Sequence, residues 1–507
     1  MERFVTRYHD RIAGILTGFD RMRFRGTLRG ISYVQGLQQW LYQRDVLLKD
    51  FGRFAEQLSA EITAHAKRMA DVTGRPFEYV SSWKVRKEDR ARAIATRDGV
   101  TDGLIAIFSC VESCRSFTVR GDRTTRRLGL IAQERRCTHL YFYYWDHDFG
   151  LMHVRVQTWL PFTIQICLNG REWLAQQLRR CDSGFRQIDN CVCELADPAL
   201  AQRLLTQLDT RRWARVLRVL ATRVNPLLRR QGLRPYYWSL EESEYATDVL
   251  FATPARLQAV YPALVDHAVR HFRTPDVLRF LGKPCQPQRH EVTTRVQRRV
   301  EGVRVKHWVA ENSLKMYDKQ AQVLRVETTL NQPRRFKVYR ATGPDSPRHW
   351  VPLRKGIADI PRRVALSRAT NARYLDALSV VEVPTPVARI LDPVSRPRWV
   401  AGRPYRALHP IAPEDSRCFA HLADGRTLLD DIRAGDLRRA LSPDEPTDAR
   451  AKHRLTGRVS RRLRLYRAHG LIAKITGTRR YRLTPKGHTI ITAALRCRTA
   501  TLAQLAA

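Results

Sequence analysis

Apolar residues recur along this chain with two different periods, and each change of period marks an element. Residues 12–28 (IAGILTGFDRMRFRGTL) mix apolar and polar positions around Gly18 and Gly26, which predicts strands and a tight turn. From about residue 34 to 72 the apolar positions fall at helical spacing, and Gly74-Arg75-Pro76 stops the pattern, so a long helix is expected there. Residues 103–169 read as strand. A short buried run at 104–108 precedes HLYFYYW (139–145), then 151–159 and 162–168, with Asp146-His147-Asp148-Phe149-Gly150 as hairpin punctuation. Asn169-Gly170 ends the third of these strands, and 171–180 has a helical pattern. Residues 198–282 read as helices broken at Asn225-Pro226 and around 232–235. Strand patterns return at 293–309 and 313–339, and a helix is expected over 360–378.

These patterns predict an α+β fold. An antiparallel sheet with packed helices begins in residues 1–195 and is completed, after a helical insert, in 196–382. Seven prolines then crowd 383–413, a linker composition that places a domain boundary there. Residues 414–507 make a separate C-terminal domain, with helices expected at 413–422, 428–441 and 450–469. A hairpin over 471–483 should turn at Thr476-Gly477-Thr478. Gly470 sits where a helix end needs positive φ, and Pro485 opens a closing helix.

In the third of these helices Val459, Leu463 and Tyr466 point to a core, which leaves Arg458, Arg461, Arg462 and Arg464 facing outward. The hairpin tip presents Arg479, Arg480 and Arg482. From Ala449 to the end there are fifteen Lys or Arg and no Asp or Glu, so nothing within this stretch repels phosphate. RLRLYRAHGLIAKITGTRRYRLTPKG (462–487) resembles the recognition helix and wing of winged-helix regulators of the MarR and ArsR type. The resemblance implies double-stranded DNA as partner, with a helix in the major groove and a wing on the adjacent backbone.

Composition strengthens the charge argument. The 507-residue chain carries 90 Lys+Arg against 49 Asp+Glu, a net charge of +41 that exceeds any need of solubility. A polyanionic partner is the natural reason, and the dominance of arginine favours nucleic acid over a membrane surface. A high-GC genome explains arginine in place of lysine but not the shortage of acids. The length suggests about three domains. No run approaches the ~18 apolar residues of a membrane span and no signal-peptide core opens the chain, so a cytoplasmic protein is expected. Ten cysteines occur without a C-x-x-C pair, which reads as reduced core thiols; Cys110, Cys114, Cys191 and Cys193 are the candidate metal ligands among them.

The most chemically suggestive passage is ENSLKMYDKQAQVLRVETTLN (311–331). A hairpin with a three-residue loop at 319–321 would pair Tyr317 with Val323, Lys315 with Arg325 and Ser313 with Glu327. Lys315, Tyr317, Arg325 and Glu327 then share one face. A tyrosine beside cations such as Lys315 and Lys319 can attack a phosphodiester, and a neighbouring carboxylate can hold a divalent cation, Mg2+ or Mn2+. The same face also fits a solvated surface of cross-strand ion pairs.

This segment resembles the trans-acting replication initiators of small rolling-circle plasmids and, more loosely, of filamentous phages. Those carry a Lys/Arg-x-Tyr-Asp/Asn-Lys strand followed by an Arg-x-Glu strand. Here the corresponding residues are Lys315-Met316-Tyr317-Asp318-Lys319 and Arg325-Val326-Glu327. The resemblance implies Tyr317 as the nucleophile that forms a 5′-phosphotyrosine and Glu327 as a metal ligand. An early strand carrying an aspartate is a further habit of the family, which Asp20 supplies.

Glu112 is the expected third carboxylate, or else a buried glutamate paired to Arg115 or Arg120. His139, His147 and His153 with Asp146 and Asp148 read more readily as a structural turn than as a cation site. The aromatic run 141–145 with Trp159 belongs to a core or stacks on unpaired bases, so single-stranded DNA or RNA is a candidate partner of the sheet. No phosphate-binding G-x-x-x-x-G-K-S/T loop occurs. The expected function is DNA binding in a plasmid-replication or mobile-element setting, with nicking through Tyr317. The competing class is a non-enzymatic winged-helix regulator or an RNA-binding protein.

Overall fold

The computed structural model describes all residues except 82–84, 125, 284–291, 300–301, 342, 344–345, 382–386, 424–430, 443–447 and 502–507. The strands are β1 (Ile12–Thr27), β2 (Phe77–Tyr79), β3 (Gly103–Gly121), β4 (Leu128–Asp146), β5 (Gly150–Gln157) and β6 (Ile164–Asn169). They continue with β7 (Phe185–Ile188), β8 (Cys191–Leu195), β9 (Tyr237–Phe251), β10 (Thr293–Arg299), β11 (Gly302–Val309), β12 (Asn312–Lys319) and β13 (Val323–Leu330). Eleven of them form one sheet in the order β10-β11-β12-β13-β9-β1-β6-β5-β4-β3-β2, and β7 pairs only with β8. The two parts expected to contribute to the sheet therefore meet in one continuous ladder, joined where β1 pairs with β9. All pairs are antiparallel except the β2–β3 edge, which makes the sheet mixed rather than antiparallel throughout.

Three expectations fail on tertiary grounds. Residues 12–27 hold no tight turn, because β1 runs as one strand through Gly18 and Gly26, held by the ladder to β9. The helix expected over 34–72 is two helices, Val34–Tyr42 and Phe51–Thr73. Gln43-Arg44-Asp45 between them has no apolar residue to bury, and Asp45 turns the chain with φ of 55°. The stretch 198–282 is not all helical, because β9 runs through it. Its Glu241-Glu242-Ser243-Glu244 reads as solvated helix, yet β9 is held by ladders on both sides, to β1 and to β13.

One face of the sheet is apolar. Val154, Ile164, Ile166 and Phe24 pack with Leu58, Ile62, Trp213 and Leu217 of the helices Phe51–Thr73 and Trp213–Val224. Leu314, Met316, Leu324 and Val326 pack with Tyr374 and Leu375 of the helix Ile360–Leu378, which has the expected bounds. Side chains alternate along a strand and in-register neighbours point the same way, so the residues between these form the other face. There β12, β13 and β9 align Lys315 with Glu327 and Ala246, and Tyr317 with Arg325 and Asp248. The hairpin register is thus displaced by two residues from the expected one. An even displacement leaves every side chain on its expected face, and the loop is 320–322.

β6 reaches only as far as Arg21, so the first half of β1 has an open edge. The helix Pro198–Asp209 lies along it, and the Gln202 side chain accepts from the Thr17 N–H and donates to the Thr17 carbonyl in place of ladder partners.

The C-terminal part has its own core, with Phe419, Leu437, Val459, Leu463, Tyr466 and Ile491 at its centre. It is built from the helices Pro413–Ala423, Ala434–Leu441, Ala449–Ala468 and Pro485–Thr499 and the hairpin Ile472–Lys474/Tyr481–Leu483. Ile432 bridges Tyr481 beside this hairpin. Gly470 takes the positive φ expected of it, 74°, and Gly477 lies in the hairpin turn with φ of 73°. The front of the helix expected at 428–441 lies outside the described residues. The stretch 383–413 is not a free linker from Val387 onward, because Ile390, Leu391, Val394 and Leu408 are buried in this same core. Among the described residues no helix is long and apolar enough to cross a membrane. The nine described cysteines are free and six of them are buried; Cys285 lies outside the described residues.

Candidate active site

A bulge in β1 between Phe19 and Arg21 breaks the alternation at Asp20 and turns its carboxylate toward β13. There the Arg325 guanidinium meets Asp20 at 3.1 Å and the Asp248 carboxylate at 2.5 and 2.7 Å. Arg171, in the first turn of the helix Gly170–Arg180, reaches Asp248 at 2.9 Å. Asn190, in the β7–β8 turn, closes the site from above. Its amide donates to Asp20 at 2.7 Å, and its carbonyl accepts from Lys319 at 2.6 Å. Next to this group Tyr317 donates its hydroxyl to Glu327 at 3.1 Å, and Lys315 Nζ lies 2.6 Å from Glu327 and 3.4 Å from Glu244.

Four acids and four bases thus share one patch: Asp20, Glu244, Asp248 and Glu327 with Arg171, Lys315, Lys319 and Arg325. Arg171, Asp248, Arg325 and Glu327 have no exposed surface, and Tyr317 retains 8%. Glu244 is half-buried and Arg21 beside it is exposed, so the patch opens toward solvent on the side of β1, β9 and β12.

Burial would raise the Asp20 carboxyl, but Arg325, Lys319 and Arg171 outweigh it and hold the group well below the usual carboxylate range. Glu327 goes the other way. Its burial, with Glu244 and Asp20 nearby, raises its proton affinity against the pull of Lys315. Burial and Glu327 together push the Tyr317 phenol well above its ordinary value. Lys319 is lowered by burial and by Arg325. Lys315 is raised because Glu327 and Glu244 outweigh its burial. Tyr317 is therefore a protonated phenol hydrogen-bonded to a carboxyl group whose own proton affinity is raised, an arrangement across which a proton can pass.

Carboxylate oxygens of Asp20, Glu244 and Glu327 all lie within 4.8 Å of one another. An all-oxygen donor set of this kind suits a hard divalent cation, and the Lys315 ammonium beside Glu327 and Glu244 already supplies positive charge at that point. Asp20 and Glu327 were expected in this role. Glu112 was expected to join them and does not. It accepts from Arg155 and from the Tyr141 hydroxyl, also meets Cys110, and is held at about 2. Its cationic partners are Arg155 and, at 3.8 Å, Lys87, not Arg115 or Arg120. The third carboxylate is Glu244, which sequence reasoning missed because β9 read as helix. The two-residue alternation of Tyr245, Val249 and Phe251 carried the signal.

The other candidates separate. His147 sits in the β4–β5 turn beside Asp148, while His153 lies against Tyr141 and Tyr143. His139 is buried with Cys114 and Cys137, whose sulfurs are 3.0 Å apart. Phe142, Tyr143, Tyr144 and Trp159 are core residues.

In the C-terminal part Arg458, Arg461, Arg464, Arg479, Arg480 and Arg482 are exposed as expected. Arg462 is not. It is 6% exposed and bonds inward to Asp415 and Glu414 of the helix Pro413–Ala423. Glu414 also pairs with Arg458, and Asp431 lies 3.9 Å from Arg480, so acids from outside the acid-free stretch neutralise part of it. No protein-family model, no curated protein and no solved structure matches this chain.

Proposed function

We propose that this chain binds DNA and opens one strand of it through Tyr317 in a replication or mobile-element setting. In this reading residues 414–507 are a winged helix that holds duplex DNA, and the charged sheet face takes the strand to be cut. The observation that carries the proposal is the Tyr317–Glu327 hydrogen bond of 3.1 Å beside a carboxylate triad within 4.8 Å and two lysines. Asp20, Glu244 and Glu327 would hold Mg2+ or Mn2+, which when bound offsets the charge of a phosphate.

The chain's own residues account for the proton and the bond changes. The Tyr317 oxygen bonds to phosphorus as its proton passes to Glu327. The bond from phosphorus to the 3′ oxygen breaks, and that oxygen takes the proton. The products are a 5′-phosphotyrosine and a free 3′-hydroxyl. Lys315 and Lys319 attract the phosphate, and Arg325 fixes the Asp20 and Asp248 carboxylates on which the patch is built.

One observation favours a second reading. Each of the four acids already has a cationic partner, as in a structural ion network, and a non-enzymatic regulator or an RNA-binding protein needs no more than that. Incubation with supercoiled plasmid and Mn2+ or Mg2+ separates the two. Open circles carrying covalently attached protein are expected with the wild type and neither with Tyr317→Phe. Nicking by both alike removes Tyr317 from the chemistry, and binding without nicking selects the second reading.

A further inference from the structure

A cavity of about 800 Å³ lies between the sheet body and the C-terminal part, remote from Tyr317. Its lining holds five arginines and four histidines against two aspartates. Both aspartates are engaged by backbone: Asp276 accepts from the Arg273 N–H at 2.9 Å, and Asp376 from the Arg3 N–H at 3.0 Å. Arg3, Arg273 and Arg496 form no ion pair among the described residues. Four of the chain's fifteen histidines meet here, far beyond their share of the sequence.

The histidines here add little positive charge of their own. Burial, with His271, Arg496 and His488 around it, holds His267 down to about 3, and burial with Arg3 holds His488 down to about 4. Uncharged imidazoles facing unpaired guanidiniums leave a strong positive potential in a partly enclosed space. Phe272, Phe280 and Leu495 add apolar wall. The volume suits a ligand of nucleotide size.

We infer that this cavity is a binding site for a phosphorylated small molecule, with Arg3, Arg273 and Arg496 on the phosphate and Phe272 and Leu495 against its apolar part. Because Arg273 belongs to the sheet body and Arg496 to the helix Pro485–Thr499, an occupant ties the two parts together. This inference is independent of any cleavage by Tyr317.

Calorimetric titration of the full chain with ADP and, separately, with inorganic pyrophosphate tests it at physiological ionic strength. Saturable one-to-one binding is expected, weakened about tenfold by Arg273→Ala or Arg496→Ala, since each removes a charge-assisted phosphate contact. Tighter binding of ADP than of pyrophosphate assigns a nucleotide, and the reverse assigns a free polyphosphate. The double variant Arg215→Ala/Arg218→Ala, at exposed positions of the helix Trp213–Val224, should bind as the wild type does. Absence of binding heat with both probes overturns the site, and so does equal weakening in the Arg215/Arg218 variant, which marks diffuse charge attraction. If Arg496→Ala fails to fold, hydrogen exchange of the wild type with and without ADP gives the same decision. Protection must then concentrate in residues 270–280 and 488–499.

Discussion

Arg325→Met puts the central ion network to its most direct test. Arg325 has no exposed surface and bonds to Asp248, Asp20 and the Asn190 carbonyl. The substitution keeps most of the volume but leaves Asp20 with only the Asn190 amide and the more distant Lys319. Asp248 is left with Arg171 alone. Removing one partner of a buried ion pair costs about 3–5 kcal/mol, and full burial means that solvent does not screen it away. At ~2.1 cal/mol/K per residue over a sheet body of roughly 380 residues, that corresponds to a Tm lowered by about 4–6 °C.

The loss should depend on pH. Asp20 and Asp248 are both depressed in the folded protein, so their stabilisation is present at neutral pH and disappears as pH falls through those folded values. In Arg325→Met Asp20 loses the largest of the charges that depressed it and takes up a proton in milder acid, which relieves its unpaired charge, while Asp248 stays paired with Arg171. The gap between variant and wild type should therefore narrow from pH 7 toward acid. Thermal unfolding followed by circular dichroism at both ends of that range reads the effect. A Tm within about 2 °C of wild type at neutral pH would mean that the guanidinium does not hold these carboxylates.

Three further outcomes are expected. Arg461→Ala and Arg464→Ala should each flatten the slope of log duplex affinity against log salt by about 1 with an unchanged melting curve. Arg462→Ala instead unpairs buried Asp415 and should lower the melting temperature of the C-terminal part, which a melt of the isolated variant records beside the salt titration. Glu244→Gln should weaken Mn2+ binding about tenfold or more while Glu112→Gln leaves it unchanged, as read by water-proton relaxation; equal effects would place the cation elsewhere. Strand opening at saturating Mn2+ should be about a hundredfold slower in Glu327→Gln, whose amide cannot accept the phenolic proton, and a rate equal to wild type would remove Glu327 as the base.

Much of the sheet face was legible because a strand's alternation survives errors of register. Lys315, Tyr317, Arg325 and Glu327 were assigned to one face with pairings two residues out, and the face is unchanged. Bounds set by local chemistry were legible too: Gly470 needs positive φ, Gly477 marks the hairpin turn, and Ile360–Leu378 keeps its apolar period throughout. Arg462 shows the opposite case. Helical geometry places it at the edge of the apolar stripe, and whether it points to phosphate or to Asp415 depends on a helix that begins some fifty residues earlier in the chain.

The sequence by itself determined which residues carry charge and which period each segment keeps, and it singled out Asp20, Tyr317 and Glu327 as candidates. Only the tertiary structure decided that they meet, that Glu244 rather than Glu112 joins them, and that 387–408 belongs to the C-terminal core. The physical reason is the same in each case. Periodicity is a property of neighbours a few residues apart, whereas the ladders that turned 237–251 into a central strand join segments far apart in the chain, and a polar segment takes its conformation from the partners that satisfy its backbone.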